Sequence, residues 1–281
     1  MADVVSTKPR PRRGMYVLPS LFTAGNIAAG FYAITQSLQG TASDYGYFDR
    51  AAIAIALAVP FDALDGRIAR LTNTESDFGK ELDSLADVIT FGVAPAVLAY
   101  VWGFRMLPMA GNLIFRQKMI EIGVFVCFLF LICGACRLAR FNVMVNPQPQ
   151  NPGRPGRKYF VGMPIPAAAG VVVSVVHCFN GAPIDNPWIS LVWLGLVLFA
   201  GFLMVSRWRF WSAKEIRVES RQPMRLLIVL VVLCVLLVKW SEYVLIVVAL
   251  AYMVSGLWAR LMYASQAKAQ RARRVVDNSA S

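Results

Sequence analysis

Long apolar runs, separated by short stretches of Gly, Pro and charged residues, occupy most of the chain between residues 17 and 263. A helix needs about 20 apolar residues to cross a bilayer core of about 30 Å, and several of the runs reach that length. The pattern therefore predicts an all-α, polytopic membrane helix bundle with about eight transmembrane helices. The predicted spans are 17–38, 48–71, 81–104, 118–144, 163–181, 187–206, 224–240 and 242–263.

Two polar segments flank the apolar runs and divide the chain into three parts. Residues 1–16 form a basic leader, residues 17–263 the transmembrane domain, and residues 264–281 a polar basic tail. The basic stretch from Lys8 to Arg13 precedes a long apolar segment that has no credible small-residue cleavage site, so we expect the first helix to be retained. Both end segments are expected to lie against anionic lipid headgroups.

Composition narrows the class of protein further. Hydrophobic residues make up 57% of the 281 residues, more than a soluble core of this size needs, so the surplus is expected to face membrane lipids. The net charge of +12 would suggest a nucleic-acid partner if it lay on a soluble domain. Here the basic residues cluster in short loops and tails, so no nucleic-acid partner is expected.

The distribution of Lys and Arg orients the predicted spans. If the N-terminus is cytoplasmic, 23 of the 28 basic residues lie in the leader, the tail and the three inner loops. Basic residues concentrate in the cytoplasmic loops of membrane proteins. The charge pattern therefore predicts eight crossings with both termini in the cytoplasm.

Four acidic residues lie inside the predicted membrane helices, where charged side chains are rare and costly. Asp62 and Asp65 are three positions apart, which places them on one face of the second helix. Asp83 and Asp87 are four positions apart and share a face of the third helix. Residues 71–77 form a short, turn-like run, so we expect the two helices to be antiparallel neighbours with facing acids.

Four carboxylates that converge at one spot repel one another unless most are protonated or cations neutralise them. Two divalent ions would balance the four charges. The donors are oxygen atoms without a nearby His or Cys, which favours Mg²⁺ or Mn²⁺ over Zn²⁺. The pattern therefore predicts a site for two Mg²⁺ or Mn²⁺ ions near the cytoplasmic end of these helices.

Small and basic residues surround the acids. Gly66, Ala69 and Gly79 remove side-chain bulk where a large ligand would approach the backbone. Arg67 and Arg70 lie close by and suit phosphate groups. The alternative for the small residues is close packing between membrane helices, and both interpretations stay open from spacing alone.

The acids and their neighbours form one pattern of eight residues at fixed spacing across 26 positions. Its members are Asp62, Asp65, Gly66, Ala69, Arg70, Gly79, Asp83 and Asp87. This pattern resembles the signature of the CDP-alcohol phosphotransferase family at every position. The resemblance implies a helical membrane enzyme, usually a homodimer, with a two-metal site near the cytoplasmic surface that binds the CDP pyrophosphate.

The resemblance also implies roles for single residues. It makes Asp62, Asp65 and Asp83 metal ligands, and it makes Asp87 the catalytic general base and a ligand of the second metal. The residues implied to lie along the CDP-activated lipid are Asp65, Gly66, Ala69, Arg70 and Gly79.

Three further stretches, residues 77–96, 136–142 and 160–169, resemble a branch of the family that uses L-serine as the acceptor. That branch implies CDP-diacylglycerol as the donor, CMP as the leaving product, and the bacterial cytoplasmic (inner) membrane as the location, with a cytoplasmic active site. Serine carries a carboxylate, so its site needs a cation. Arg137 and Arg140 are the candidates, and their alternative role is to anchor the helix at the cytoplasmic surface.

Two alternative functions remain at this stage. A sibling enzyme would use glycerol 3-phosphate or an inositol phosphate as its acceptor and would need more cationic residues at the pocket. A cation transporter also needs acids inside the membrane, but it would spread them through the membrane depth. A covalent histidine intermediate is not expected, because the only histidine, His177, stands alone in an apolar run and is interpreted as a packing residue.

Overall fold

The computed structural model describes residues 17–72, 77–108, 113–143, 159–211, 235–236 and 239–262, and these residues are almost entirely helical. The α-helices are α1 (Val17–Gln39), α2 (Gly46–Thr72), α3 (Asp77–Asp87), α4 (Ala94–Tyr100), α5 (Leu113–Val143), α6 (Ile165–Cys178), α7 (Pro187–Val205) and α8 (Lys239–Met262). A π-helical segment, π1 (Val88–Val93), joins α3 to α4, and a second one, π2 (Val101–Arg105), extends α4, so that the four form one continuous helix.

The helices follow the predicted spans closely. Seven of the eight predicted spans coincide with helices whose ends differ by at most five residues. The predicted span at 224–240 lies mostly outside the described residues, as do the leader and the tail. Among the residues that the structure describes, four helices are long and apolar enough to cross a membrane: Phe78–Arg105, Leu113–Val143, Pro187–Val205 and Lys239–Met262. The chain is therefore an all-α membrane protein.

The fifth predicted span, 163–181, is longer than the helix that forms there. Helix α6 has 14 residues, Ile165–Cys178, about 21 Å at 1.5 Å per residue. Pro164 has an extended ψ of 143° at its start, while Asn180 and Gly181 adopt positive φ angles of 50° and 75° just after its end. These backbone conformations stop the helix on both sides, and an apolar run in the sequence does not reveal them.

A small antiparallel sheet ties together two segments that flank α6 and α7. Strand β1 (Tyr159–Val161) pairs with β2 (Arg209–Trp211), with Phe160 opposite Phe210. Gly162 follows β1 with a φ of +75°, and a Cβ there would approach two backbone carbonyl oxygens within 2.8 Å. The Gly162 amide donates to the carbonyl of Trp208 at 2.8 Å, so this glycine permits the close approach that closes the sheet.

Helices α2 and α3 define two ends of the bundle. The end where α2 stops and α3 begins carries Asp62, Asp83 and Asp87, and it is called the acid end below. The opposite end contains the start of α2 and the ends of α6 and π2. There Trp102 donates from Nε1 to the carbonyl of Ala182 at 2.9 Å and packs edge-on against Trp193.

His177 lies at that opposite end, in a polar cluster between three helices. Its Nδ1 is 2.5 Å from Asp49 Oδ1 on α2, and its Nε2 is 2.8 Å from Ser241 Oγ on α8. The imidazole thus has a polar partner at each ring nitrogen, which offsets the cost of its burial. His177 holds helices together and is remote from the acids.

Candidate metal centre

Three of the four predicted metal ligands meet at the acid end of the bundle. One carboxylate oxygen from each of Asp62, Asp83 and Asp87 lies within 4.8 Å of the other two. Asp62 stands on α2, two residues after Pro60, and the other two acids are one turn apart on α3. The i, i+4 spacing of Asp83 and Asp87 therefore presents both side chains to α2 as the sequence predicts.

The three carboxylates occupy a half-buried, crowded position. Asp62 and Asp87 are joined by a side-chain hydrogen bond. One oxygen of Asp83 and one oxygen of Asp87 are out of contact with solvent. Two carboxyl groups share a hydrogen bond only if a proton lies between them, so the cluster demands positive charge, either as protons or as a cation.

The donor set fits a small divalent cation. The three oxygens lie within 4.8 Å of one another, close enough for one cation to reach all three after modest side-chain movement. All three donors are carboxylate oxygens, which suit Mg²⁺ and Mn²⁺. Among the described residues, these acids form a group that could hold a metal ion.

The remaining predicted ligand-binding residues lie on the same two helices. Asp65, Gly66, Ala69 and Arg70 are in the last turns of α2, and their side chains lie outside the described part of the structure. Gly79 is half-buried in the first turn of α3. The backbone thus places the whole eight-residue pattern at the acid end.

A π-helical segment begins immediately after Asp87. Segments of this kind recur at functional sites because they insert one extra residue into a helix turn. In π1, the hydroxyl of Thr90 donates to the main-chain carbonyl of Asn26 at 2.8 Å. A Cβ on Gly30 would lie 2.7 Å from the Thr90 Oγ1, so the glycine lets α1 approach π1 closely. These contacts fix α1 beside the segment that carries Asp87.

Arg137 is a buried cation whose charge interacts with one of the acids. It lies on α5, is 8% exposed, and interacts electrostatically with Asp87 and with Tyr252 of α8. Its Nε has no hydrogen-bond partner among the described residues. A buried guanidinium with a free donor, beside the carboxylate cluster, is positioned to bind an anionic ligand group.

Arg140, the second residue predicted to bind the acceptor substrate, forms hydrogen bonds with the protein backbone. Its guanidinium donates to the main-chain carbonyl of Val205 at 3.0 Å and to that of Val161 at 3.4 Å. These bonds tie the end of α5 to the end of α7 and to β1. The two arginines, equivalent candidates in the sequence, therefore differ in the contacts they make.

The structure adds two polar residues that the sequence analysis did not single out. Asn142 donates from Nδ2 to Ser84 Oγ at 3.0 Å and so holds α5 against the helix that carries Asp83 and Asp87. Asn26 lies buried in α1 beside π1. The sequence did contain a signal for both residues. A polar amide within an apolar run is costly in a membrane, so such a side chain is expected to have a hydrogen-bond partner or a function.

Comparison with known proteins agrees with this arrangement. The sequence profile of the family described as CDP-alcohol phosphatidyltransferase matches residues 16–198, which include all eight residues of the acidic pattern.

Individual relatives match over most of their length. A CDP-diacylglycerol–serine O-phosphatidyltransferase of Helicobacter pylori is 35% identical over 255 residues, covering 90% of this chain and 95% of the relative. The enzyme of that name in Bacillus subtilis is 33% identical over 211 residues, 75% of this chain and 99% of the relative. The Saccharomyces cerevisiae enzyme of that name is 39% identical over 160 residues, 56% of this chain and 53% of the relative.

Proposed function

The chain belongs to the CDP-alcohol phosphatidyltransferase family, and we propose from this membership that it transfers the phosphatidyl group of CDP-diacylglycerol to the hydroxyl of L-serine and releases CMP. Two relatives named for this reaction cover 90% and 75% of this chain. The observation that carries the proposal is the convergence of Asp62, Asp83 and Asp87 inside the segment that the family profile matches.

The acids are proposed to hold the metal ions of the reaction. Family members depend on a divalent metal, and Asp62, Asp83 and Asp87 provide the donors for one. We add Asp65 as a fourth ligand and two ions, Mg²⁺ or Mn²⁺, because the spacing of Asp65 places it one turn from Asp62. Such ions supply positive charge that stabilises the developing charge on the pyrophosphate and on departing CMP.

Asp87 is proposed to act as the general base. It accepts the proton of the serine hydroxyl while that oxygen forms a bond to the phosphorus atom nearest the lipid. The bond from that phosphorus to the bridging oxygen of the pyrophosphate breaks, and CMP leaves with the electron pair. The Asp87 carboxylate lies beside Asp62 and Asp83, so the proposed base and the proposed metal ligands are next to one another.

Direct transfer is favoured over a covalent enzyme intermediate. A covalent route through histidine needs that side chain beside the phosphorus, but the one histidine of the chain is bonded to Asp49 and Ser241 at the opposite end of the bundle. The acids lie together at the acid end, so a transporter pathway through the membrane depth is not favoured either.

The CDP-activated lipid is proposed to lie along Asp65, Gly66, Ala69, Arg70 and Gly79. Support comes from their shared position at the acid end, where α2 ends and α3 begins. Arg70 suits a phosphate, and the small residues allow the nucleotide to approach the helix backbone.

The serine carboxylate is proposed to bind Arg137. This guanidinium is buried, its Nε has no hydrogen-bond partner within the part of the chain that the structure describes, and it interacts with the proposed base Asp87. A carboxylate held there brings its hydroxyl towards the base. Arg140 was an equal candidate in the sequence, and its bonds to main-chain carbonyls favour a structural role.

Replacing Arg137 by Gln is expected to raise the KM for serine by about 10- to 100-fold, because a charged hydrogen-bonded contact is lost. The KM for CDP-diacylglycerol should change by less than about threefold, since its phosphates bind elsewhere. The matched control is Arg140→Gln, which should lower the melting temperature and leave the serine KM close to that of the wild type. Equal serine KM values in the two variants would show that Arg137 does not bind the serine carboxylate.

The membrane arrangement is also part of the proposal. We propose eight spans for residues 17–263, with the leader 1–16 and the tail 264–281 in the cytoplasm and the acid end at the cytoplasmic face of the inner membrane. The concentration of Lys and Arg in the predicted inner loops supports this orientation. A homodimer is proposed from the family resemblance.

The reaction is tested with purified protein, CDP-diacylglycerol and Mn²⁺, offered L-serine, glycerol 3-phosphate or inositol phosphate in turn. Serine alone is expected to drive CMP release with matching formation of phosphatidylserine. CMP release with glycerol 3-phosphate but not with serine would assign the chain to a sibling reaction.

A further inference from the structure

A cavity of about 410 Å³ lies between α1 and α2. Residues of α1 from Leu21 to Tyr32 and residues of α2 from Ala54 to Phe61 form its walls. Most of the lining is apolar, and Leu21, Leu57 and Phe61 are exposed at the protein surface. The cavity is therefore a groove that opens towards the membrane lipids.

One buried polar side chain lines this largely apolar groove. Asn26 is only 1% exposed, and neither its Oδ1 nor its Nδ2 has a hydrogen-bond partner among the described residues. Burying an amide without partners destabilises a protein. Its position in the groove wall indicates a ligand that carries a hydrogen-bonding group as well as apolar surface.

The groove begins at the acid end. Phe61 directly precedes Asp62, and α1 is anchored beside π1 by the bond from Thr90 to the Asn26 carbonyl. From Leu21 to Tyr32 the groove is about 16 Å long at 1.5 Å per residue, close to half of a bilayer core of about 30 Å. It therefore extends from the metal ligands through the depth of one lipid leaflet.

The position of Asn26 within the groove suits the glycerol esters of a lipid. Asn26 is five residues, about 7 Å, from the Leu21 end of the groove. A lipid whose phosphates lie at the acids carries its ester carbonyls just below them and its acyl chains deeper in the leaflet. An ester carbonyl is an acceptor for the Nδ2 of Asn26.

We propose that this groove binds one acyl chain of CDP-diacylglycerol and that Asn26 donates a hydrogen bond to the ester carbonyl of that chain. The proposal rests on the proposed function, because the donor lipid is the ligand whose headgroup belongs at the acids. The groove then fixes the lipid relative to Asp62 and Asp87 while the phosphorus reacts.

Gly25 offers a way to fill the groove without disturbing the protein. A Cβ added at Gly25 would meet no protein atom within 4 Å, so the side chain of Gly25→Leu has the groove as its space. The matched control is Gly195→Leu on α7, where an added Cβ also meets nothing within 4 Å and the glycine is equally exposed. Both variants place a leucine in a membrane helix.

Equilibrium binding separates the acyl chain from the headgroup. Gly25→Leu is expected to bind CDP-dioleoylglycerol about tenfold more weakly, because its side chain displaces about two methylene groups from the groove. Its affinity for CDP alone should match that of the wild type, and Gly195→Leu should match the wild type for both ligands. An unchanged lipid affinity in Gly25→Leu would show that the groove does not bind the acyl chain, and it would not contradict the proposed reaction.

A second variant tests the ester contact. Asn26→Leu is expected to bind the ester-linked lipid about 2- to 10-fold more weakly and to bind a diether analogue as the wild type does. Equal loss for both lipids would overturn the ester contact. A change of oligomeric state in Gly25→Leu, with lipid affinity unchanged, would assign the groove to a second copy of the chain. If the wild-type protein did not bind CDP-dioleoylglycerol at all, both the acyl-chain site in the groove and the proposed function would be wrong.

Discussion

Replacing Asp87 by Asn is expected to lower the rate of phosphatidylserine formation by about 10²- to 10⁴-fold, the usual contribution of a general base. Asparagine has the same shape but cannot accept the serine proton. Asp87 ends α3 and is hydrogen-bonded to Asp62, so an amide of equal size keeps both the helix and a bond to Asp62. The measurement is the rate of CMP release with saturating serine and Mn²⁺.

Binding measurements distinguish a lost base from a damaged site. Because Asp87 is also a proposed metal ligand, binding is measured with Mn²⁺ raised until it saturates the variant. Asp87→Asn should then bind CDP-diacylglycerol within about threefold of the wild type, because the headgroup contacts are proposed for α2 and Gly79. The matched control is Asp185→Asn, an exposed aspartate in the loop before α7, which should keep full activity. Turnover of Asp87→Asn at the wild-type rate would show that another group accepts the proton.

The positions of the helices and the meeting of the acids follow from the sequence because both are local patterns. Apolar runs give the helices, and spacings of three and four give shared faces, so Asp83 and Asp87 of α3 point together to Asp62. The short connection between α2 and α3 leaves their neighbouring arrangement as the simplest one. Every step in this inference uses residues within 26 positions of each other.

Other features depend on contacts that no local pattern specifies. The two arginines of α5 are equivalent candidates in the sequence. Their roles are distinguished in the structure by the hydrogen bonds of Arg140 to the backbone carbonyls of Val161 and Val205. Strand β1 pairs with β2 across the whole of α6 and α7. These pairings are set by how distant segments pack, so periodicity alone gives no sign of them.

The groove could not be predicted from the sequence either, for a different reason. Its apolar residues have the same pattern as any lipid-facing helix surface, so they predict helices and nothing more. Only the packed structure shows that α1 and α2 leave space between them and that Asn26 has no hydrogen-bond partner there among the residues described. The sequence pattern does not predict the π segment after Asp87 either. Thr90 within that segment forms a hydrogen bond with the Asn26 carbonyl and so links the helix of the acids to this groove.

Loss of the metal ligands is expected to have the second large effect. Asp62→Asn and Asp83→Asn should each weaken Mn²⁺ binding by at least about 10- to 100-fold, the range found when even outer partners of metal ligands are lost. At a metal concentration that saturates the wild type, both variants should show little activity, and a chelator should abolish wild-type turnover reversibly. The exposed Asp44 provides the control variant Asp44→Asn.

Thermal stability reports on the same site without turnover. A ligand at 100 times its Kd stabilises a folded protein by about 2.7 kcal/mol, so Mn²⁺ should raise the melting temperature of the wild type and of Asp44→Asn. In Asp62→Asn and Asp83→Asn this rise should disappear at the same Mn²⁺ concentration, because one of three oxygens within 4.8 Å is replaced. Without metal, both variants should be at least as stable as the wild type, since one carboxylate of the cluster no longer repels the others. A wild-type stabilisation by Mn²⁺ that persists in both variants would place the metal away from these acids.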